Sequence, residues 1–308
     1  MPEVAFVMSA GQRRSLRELA TTIAYELGLQ GVPSSLHLDG FPKSRPGLVH
    51  ILLDPCDYLR IEGEERLPGD APLRRTVLLC TEPVTAADDD EHLALLRRAG
   101  ALFVLDRRTQ VVLERAELRA RLLRPGYSRS LDHFDPDAPR PIDVAFAGSR
   151  SARRSEQLDR ISGVLARRSC RWQMLEDGDD GTPWTLLTQA RVAINLHRGD
   201  DVRLEWRRVL DAIHAGAVVV TEHASDMSPL VPGEHLLAAT ADSLPYVVDA
   251  LLDDEPRLAA LRAAAYERIT TWMPYALPVS VLRAALVELV GEPEVAAAEP
   301  ELSRSAAG

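Results

Sequence analysis

Short apolar runs alternate with amphipathic stretches along this chain. Val4 to Met8 reads as a first buried strand, followed by the polar loop Ser9 to Ser15. Leu16, Leu19, Ala20, Ile23 and Leu27 then recur at helical spacing, with Ser15 placed to cap the helix and Gly28 near its stop. Further strands are expected at Ser35 to Leu38, Leu48 to Leu53, Thr76 to Cys80 and Ala101 to Leu105. A helix from Asp89 to Arg98 and a shorter one ending at Arg115 separate the later strands, and Arg119 to Leu123 closes the series. This alternation predicts an α/β doubly wound domain over residues 1–135.

The proline-rich stretch Asp135-Pro136-Asp137-Ala138-Pro139-Arg140-Pro141 then interrupts the pattern and reads as a linker, residues 136–141. The alternation restarts over residues 142–272. Val144 to Ala147 is a strand, with a helix through Leu158, Ile161 and Leu165. Cys170 to Leu175 is another strand, and Trp184 to Ala190 a short helix. The centre of this half is a strand–loop–helix–strand unit. Val192-Ala193-Ile194 leads into the loop His197 to Asp201, and the helix Arg203 to Ala215 carries Trp206, Val209, Leu210 and Ile213 on one face. Gly216 stops that helix, and Ala217 to Val220 follows as a strand. Leu236 to Ala238, two helices from Asp242 and Glu255, and a last helix within 273–290 complete the folded chain. Residues 291–308, rich in Ala, Glu, Pro and Ser, read as a disordered tail.

Composition narrows the function. The chain has 308 residues, enough for two domains, with ordinary hydrophobic (46%) and charged (27%) fractions. A net charge of −10 speaks against general nucleic-acid binding, which draws on phosphate neutralisation. Lys43 is the single lysine, so there is no Gly-rich loop ending in Gly-Lys-Ser/Thr for a nucleoside triphosphate. Three widely spaced cysteines, Cys56, Cys80 and Cys170, predict buried thiols of a cytoplasmic protein, not a disulfide framework or zinc site. No apolar run is long enough for a membrane span, and the N-terminus lacks the basic segment of a signal peptide.

In parallel sheets, ligands gather at the carboxyl ends of strands and at the following helix N-termini. Gly148 and Ser149 follow one strand, and Arg153 or Arg154 beside them suits a diphosphate. The competing reading is a solvated turn whose arginines pair with Glu156 or Asp159. His197 and Glu222 follow two other strands. The acidic runs Asp88-Asp89-Asp90 and Asp177-Gly178-Asp179-Asp180 lack the ligand spacing of a calcium loop, so no metal site is expected.

The order Asn195-Leu196-His197, then Glu205-x-x-Arg208-Val209-x-Asp211-Ala212-x-x-x-Gly216, then Val218-Val219-Val220-x-Glu222 resembles the donor-binding half of GT-B glycosyltransferases. It is most similar to a bacterial group that includes spore-associated glycosyltransferase-like proteins, over about Ile142 to Arg268. The resemblance implies two Rossmann-type domains facing across a cleft, with the last helix packing back toward the first. It implies transfer of a sugar from a nucleotide-sugar donor to an unknown acceptor, without cofactor or required metal. Within the family's paired-glutamate pattern the second position matches Asp211, while the first falls on Arg203; Glu205 is the nearest carboxylate. Arg208 matches an arginine suited to phosphate, although Arg208 and Asp211 at i, i+3 also fit a plain surface ion pair. Gly148, Ser149, Arg153, Arg208, Asp211 and Glu222 are thus the expected donor residues, and Glu82, His197 and Glu205 the expected catalytic ones. Glu82 is preferred to Asp54 and Asp106 as a base because it leaves the most apolar strand of the first domain ahead of Pro83. Two other readings stay open: a non-catalytic scaffold binding a nucleotide or protein partner, and an enzyme such as an epimerase acting on the nucleotide-sugar itself.

Overall fold

The computed structural model describes residues 2–38, 40–83, 90–176, 182–199 and 202–291. The two expected acidic runs, apart from Asp90, and the tail beyond Gly291 lie outside the described residues. The chain divides into two compact units: one runs to Arg124 and resumes at Leu277, and the other is Pro125–Ala276.

The first unit contains β1 (Glu3–Val7), α1 (Arg14–Leu29), β2 (Ser34–His37), β3 (Leu48–Leu53), α2 (Pro55–Glu62) and α3 (Asp70–Leu73). It continues with β4 (Thr76–Cys80), α4 (Asp90–Arg97), β5 (Ala101–Val104), α5 (Arg107–Arg115) and β6 (Ala120–Leu122). Its six strands form one sheet in the order β2-β1-β3-β4-β5-β6, and every pairing is parallel. The central strands are apolar on both faces, as a sheet covered on both sides by helices requires. Two local expectations change. Helix α1 begins one residue before Ser15, with Arg13 at the N-cap and no side-chain cap. Helix α2, which the sequence pattern did not suggest, starts directly after β3 with Pro55 in its first turn, where a missing N–H costs nothing.

The second unit contains β7 (Ile142–Ala147), α6 (Ala152–Leu165), β8 (Trp172–Leu175), α7 (Pro183–Leu187), β9 (Ala190–Asn195) and α8 (Trp206–His214). Then come β10 (Val218–Glu222), β11 (Leu237–Ala239), α9 (Leu244–Leu252) and α10 (Glu255–Trp272). Its sheet is again all parallel, in the order β11-β10-β9-β7-β8. Separate apolar cores cover its two faces, one around Trp206, Leu210 and Ile269, the other around Phe146, Leu158 and Val248. Gly216 ends α8 at φ +75°, a left-handed conformation that a side chain would resist.

The division differs from the expected one at residue 135. Residues 125–141 belong to the second unit. Tyr127 exchanges backbone hydrogen bonds with Met273 and Tyr275, and Asp132 accepts from both Tyr127 and Tyr266 Oη at 2.8 and 2.7 Å. Arg140 donates to the carbonyls of Thr188, Ala190 and Ala215. Proline spacing announces an irregular backbone, but these polar anchors hold the segment against the unit it precedes. The final helix, α11 (Ala276–Gly291), joins the first unit, where Glu288 pairs with Arg121 at 2.8 Å. Among the described residues no helix is long and apolar enough to cross a membrane. The cysteines are free, but only Cys80 is buried; Cys56 and Cys170 are partly exposed.

Candidate functional site

In each sheet the strand order reverses once, between β1 and β3 in the first unit and between β7 and β9 in the second. At such a reversal the connections leave to opposite faces, and a crevice opens at the carboxyl ends of the two strands. In the second unit the crevice is bounded by Gly148 after β7, by Leu196 and His197 after β9, and by the start of α8.

Gly148 has φ +150°, and the guanidinium of Arg208 lies directly over it: a Cβ built there would stand 2.4 Å from Arg208 Cζ. The absence of a side chain is what lets this arginine lie against the backbone. Arg208 Nη1 reaches Glu205 Oε2 at 2.6 Å. The other oxygen of Glu205 accepts from Arg154. Arg154 is fully buried and also donates to the Leu196 carbonyl at 3.0 and 2.9 Å and to the Ser149 carbonyl at 2.9 Å. One carboxylate therefore sits between two guanidiniums, leaving the group with an excess positive charge beside Gly148.

A second network adjoins it. Arg153 grips Glu222 with both terminal nitrogens, at 2.9 and 2.5 Å, and the His197 backbone N–H donates to Glu222 Oε2 at 2.7 Å. Burial of Glu222 favours the protonated acid, but the Arg153 hydrogen bonds and the His197 N–H outweigh it and hold the carboxyl below its ordinary range. The His197 ring is buried, with Nε2 against the His223 carbonyl at 3.0 Å; its Nδ1 has no hydrogen-bond partner among the described residues.

The expected donor residues thus gather in part, together with two of the residues expected to be catalytic, Glu205 and His197. Gly148, Ser149, Arg208 and Glu205 share one network, and Arg153, Glu222 and His197 share the next. Asp211 departs from the expected pairing: Arg207 lies 4.0 Å from it, while Arg208 turns toward Glu205. Beside the alternative of pairing with Glu156 or Asp159, Arg153 pairs with Glu222 and Arg154 with Glu205. Helix α8 starts at Trp206, three residues later than expected; Glu205 is its non-helical N-cap residue, and Arg203 precedes the helix. Leu204, buried in the core just before, and the Arg154 grip on Glu205 fix that extended approach.

In the first unit, Glu82 follows β4 with its side chain 44% exposed and paired with Arg13 at 2.6 Å. Asp106 caps α5, accepting from the Thr109 N–H at 2.9 Å and Thr109 Oγ1 at 2.6 Å. Asp54, by contrast, is buried and lies at the crevice between β1 and β3. Among the described residues no group of His, Cys, Asp and Glu is arranged to hold a metal ion.

Comparison with known proteins agrees with this architecture. Residues 151–275 match the family model described as glycosyl transferase-like. No curated protein matches the chain by sequence. Among solved structures, sucrose-phosphate synthase from Thermosynechococcus elongatus aligns at TM-score 0.60 and 12% identity, over 94% of this chain and 99% of that one. HepE from Anabaena in complex with UDP-glucose aligns at TM-score 0.62 and 12% identity, over 94% and 100%. A glycosyltransferase from Rickettsia africae aligns at TM-score 0.59 and 10% identity, over 95% and 99%.

Proposed function

We propose that this chain, which has the GT-B fold and a glycosyl transferase-like domain over residues 151–275, transfers a sugar from a nucleotide-sugar donor to an acceptor hydroxyl. The observation that carries the reading is the Arg208 guanidinium lying over Gly148 at the strand-order reversal of the second sheet. A leaving nucleoside diphosphate needs compensation for the charge that develops as the sugar departs. Arg208 supplies it from a fixed position, because Glu205 orients its guanidinium and Arg154 in turn holds Glu205. Gly148 leaves the room in which that guanidinium lies, so the glycine's part is to seat the arginine. Arg153 and Glu222 neutralise one another, so their part is to hold the loop after β9 through the His197 N–H. His197 Nδ1 is then a polar group ready for a donor hydroxyl or phosphate.

With arginines in this role the transfer runs without a required metal ion. The free cysteines fit a reducing compartment, and we place the protein in the cytoplasm on that ground.

The test is turnover of a panel of UDP-, GDP- and dTDP-sugars, with nucleotide release followed with and without acceptor alcohols. Release that rises with acceptor, and a glycosylated product, support transfer. Isomerised donor without nucleotide release would support an enzyme acting on the nucleotide-sugar itself. Binding without any turnover would support a non-catalytic scaffold.

A further inference from the structure

The last helix of the first unit, α11, is apolar on two sides. Val279, Leu282, Ala285, Leu286 and Leu289 form its buried side. The opposite side carries Leu277, Val281 and Val287, which are 64%, 44% and 48% exposed. Ser280, Ala284, Glu288 and Gly291 complete this exposed face. At 3.6 residues per turn, these positions all fall within about 60° on either side of Ala284. Exposed apolar residues scattered singly are ordinary, but a continuous stripe of them marks a contact surface. The charged residue of the face, Glu288, is already offset by Arg121 at 2.8 Å. The face carries no Lys or Arg to meet lipid headgroups, which speaks against a bilayer surface as its partner.

We propose that this face binds the same face of a second copy of the chain, with the two helices antiparallel about a twofold axis at Ala284. The stripe is its own complement when read in reverse. In such a pair, positions equally far before and after Ala284 come level with one another, as a self-complementary contact requires. Three residues away on either side stand Val281 and Val287, two β-branched side chains. Four residues away stand Ser280 and Glu288. The Ser280 hydroxyl donates to the Leu277 carbonyl at 2.6 Å within its own helix, and the second copy's Glu288 offers that proton another acceptor. Seven residues away, Leu277 comes level with Gly291. A Cβ built on Gly291 meets nothing within 4 Å, so the glycine leaves room for a leucine. Ala284 at the axis lets the helices approach to the short end of the usual range, about 8 Å between axes.

Twofold symmetry closes this contact at two copies. One helix pair is small for a specific interface, so the dimer forms in the micromolar range. A net charge of −10 on each chain makes the copies repel, and salt screens that repulsion without weakening an apolar contact.

The experiment is sedimentation equilibrium of the full chain over the micromolar range, at about 0.05 and 0.5 M sodium chloride. The expected result is a monomer–dimer equilibrium, with a dissociation constant at least about threefold lower at the higher salt. Ala284→Glu changes an exposed residue and sets two carboxylates against each other at the axis. It is expected to raise the dissociation constant by about 50-fold or more at unchanged melting temperature. Ala284→Cys, with diamide as oxidant, is expected to yield a disulfide-linked dimer that the wild type, with its own three cysteines, does not yield under the same conditions. Leu277→Cys should not cross-link, because the two copies of that position stand about 21 Å apart along the pair. A single-copy mass at every concentration overturns the proposal. A dimer that Ala284→Glu leaves intact also overturns it, as does cross-linking by Leu277→Cys in preference to Ala284→Cys. Binding of the single chain to phosphatidylcholine vesicles, lost in Ala284→Glu, overturns it in favour of a bilayer surface.

Discussion

Arg208 occupies the space in which a side chain at Gly148 would stand, 2.4 Å from a Cβ built there. The pair couples a strand end to a helix start, and it makes the glycine a requirement of the arginine's position. Gly148→Ala is therefore expected to displace the guanidinium and to strain the backbone at φ +150°. Nucleotide affinity should fall by about 1.5–3 kcal/mol, the scale of a charge-assisted hydrogen bond, with a lower melting temperature. Calorimetry and thermal unfolding of the variant check both effects. Wild-type affinity would show that the arginine does not need this position.

The Arg154–Glu205 pair is the structural base of the same site. Arg154 is fully buried, so Arg154→Met removes a partner from Glu205 and leaves the Leu196 and Ser149 carbonyls without their donor. Breaking a buried pair from one side costs about 3–5 kcal/mol. Urea denaturation is expected to show a loss on that scale. A loss under 1 kcal/mol would mean that the site relaxes and finds other partners.

Much of this site could be read in the sequence, and the unread parts have physical causes. Strand–helix alternation, the restart near residue 142 and the glycines at 148 and 216 follow from local periodicity and backbone need. Arg154 was half visible: it shares the stripe of Leu158, Ile161 and Leu165 at helical spacing, so an arginine stood on a core-facing line. Its partner could not be read, because Glu205 lies 51 residues away and is brought to it by sheet order. The late start of α8 was hidden for the same reason, since tertiary contacts fix the backbone at Leu204 and Glu205. Residues 136–141 read as a linker by their prolines, while Asp132 and Arg140, which anchor the wider segment 125–141, bind residues distant in sequence. Asp54 and Glu82 look alike as strand-end carboxylates; only burial separates them.

That burial has a consequence for stability. Asp54 has its pKa raised from 3.8 to about 7, chiefly by desolvation. A carboxyl raised on folding contributes stability that is full below its unfolded value and is lost as pH rises through its folded value. The wild type should lose stability through this group between about pH 4 and pH 7. Asp54→Asn removes the penalty, on the order of a few kcal/mol above pH 7. The melting-temperature advantage of the variant should be small at pH 4 and grow toward pH 8. An advantage that stays constant or shrinks over this range would contradict the assignment.

Metal dependence separates arginine-based compensation from its ionic alternative. Nucleotide-sugar binding and turnover are expected to be unchanged after treatment with excess EDTA. A loss restored by magnesium or manganese would show that a cation stabilises the leaving diphosphate.

The central claim is that the second unit binds a nucleotide-sugar through Arg208. The most direct measurement is a calorimetric titration of UDP-glucose into the wild type and Arg208→Ala, at low and physiological salt. Glu205 keeps Arg154 as a partner in this variant, so the fold should be preserved. The expected result is saturable binding by the wild type and an affinity lower by about 1.5–3 kcal/mol in the variant, at unchanged melting temperature. Equal affinities for the two proteins would contradict the account.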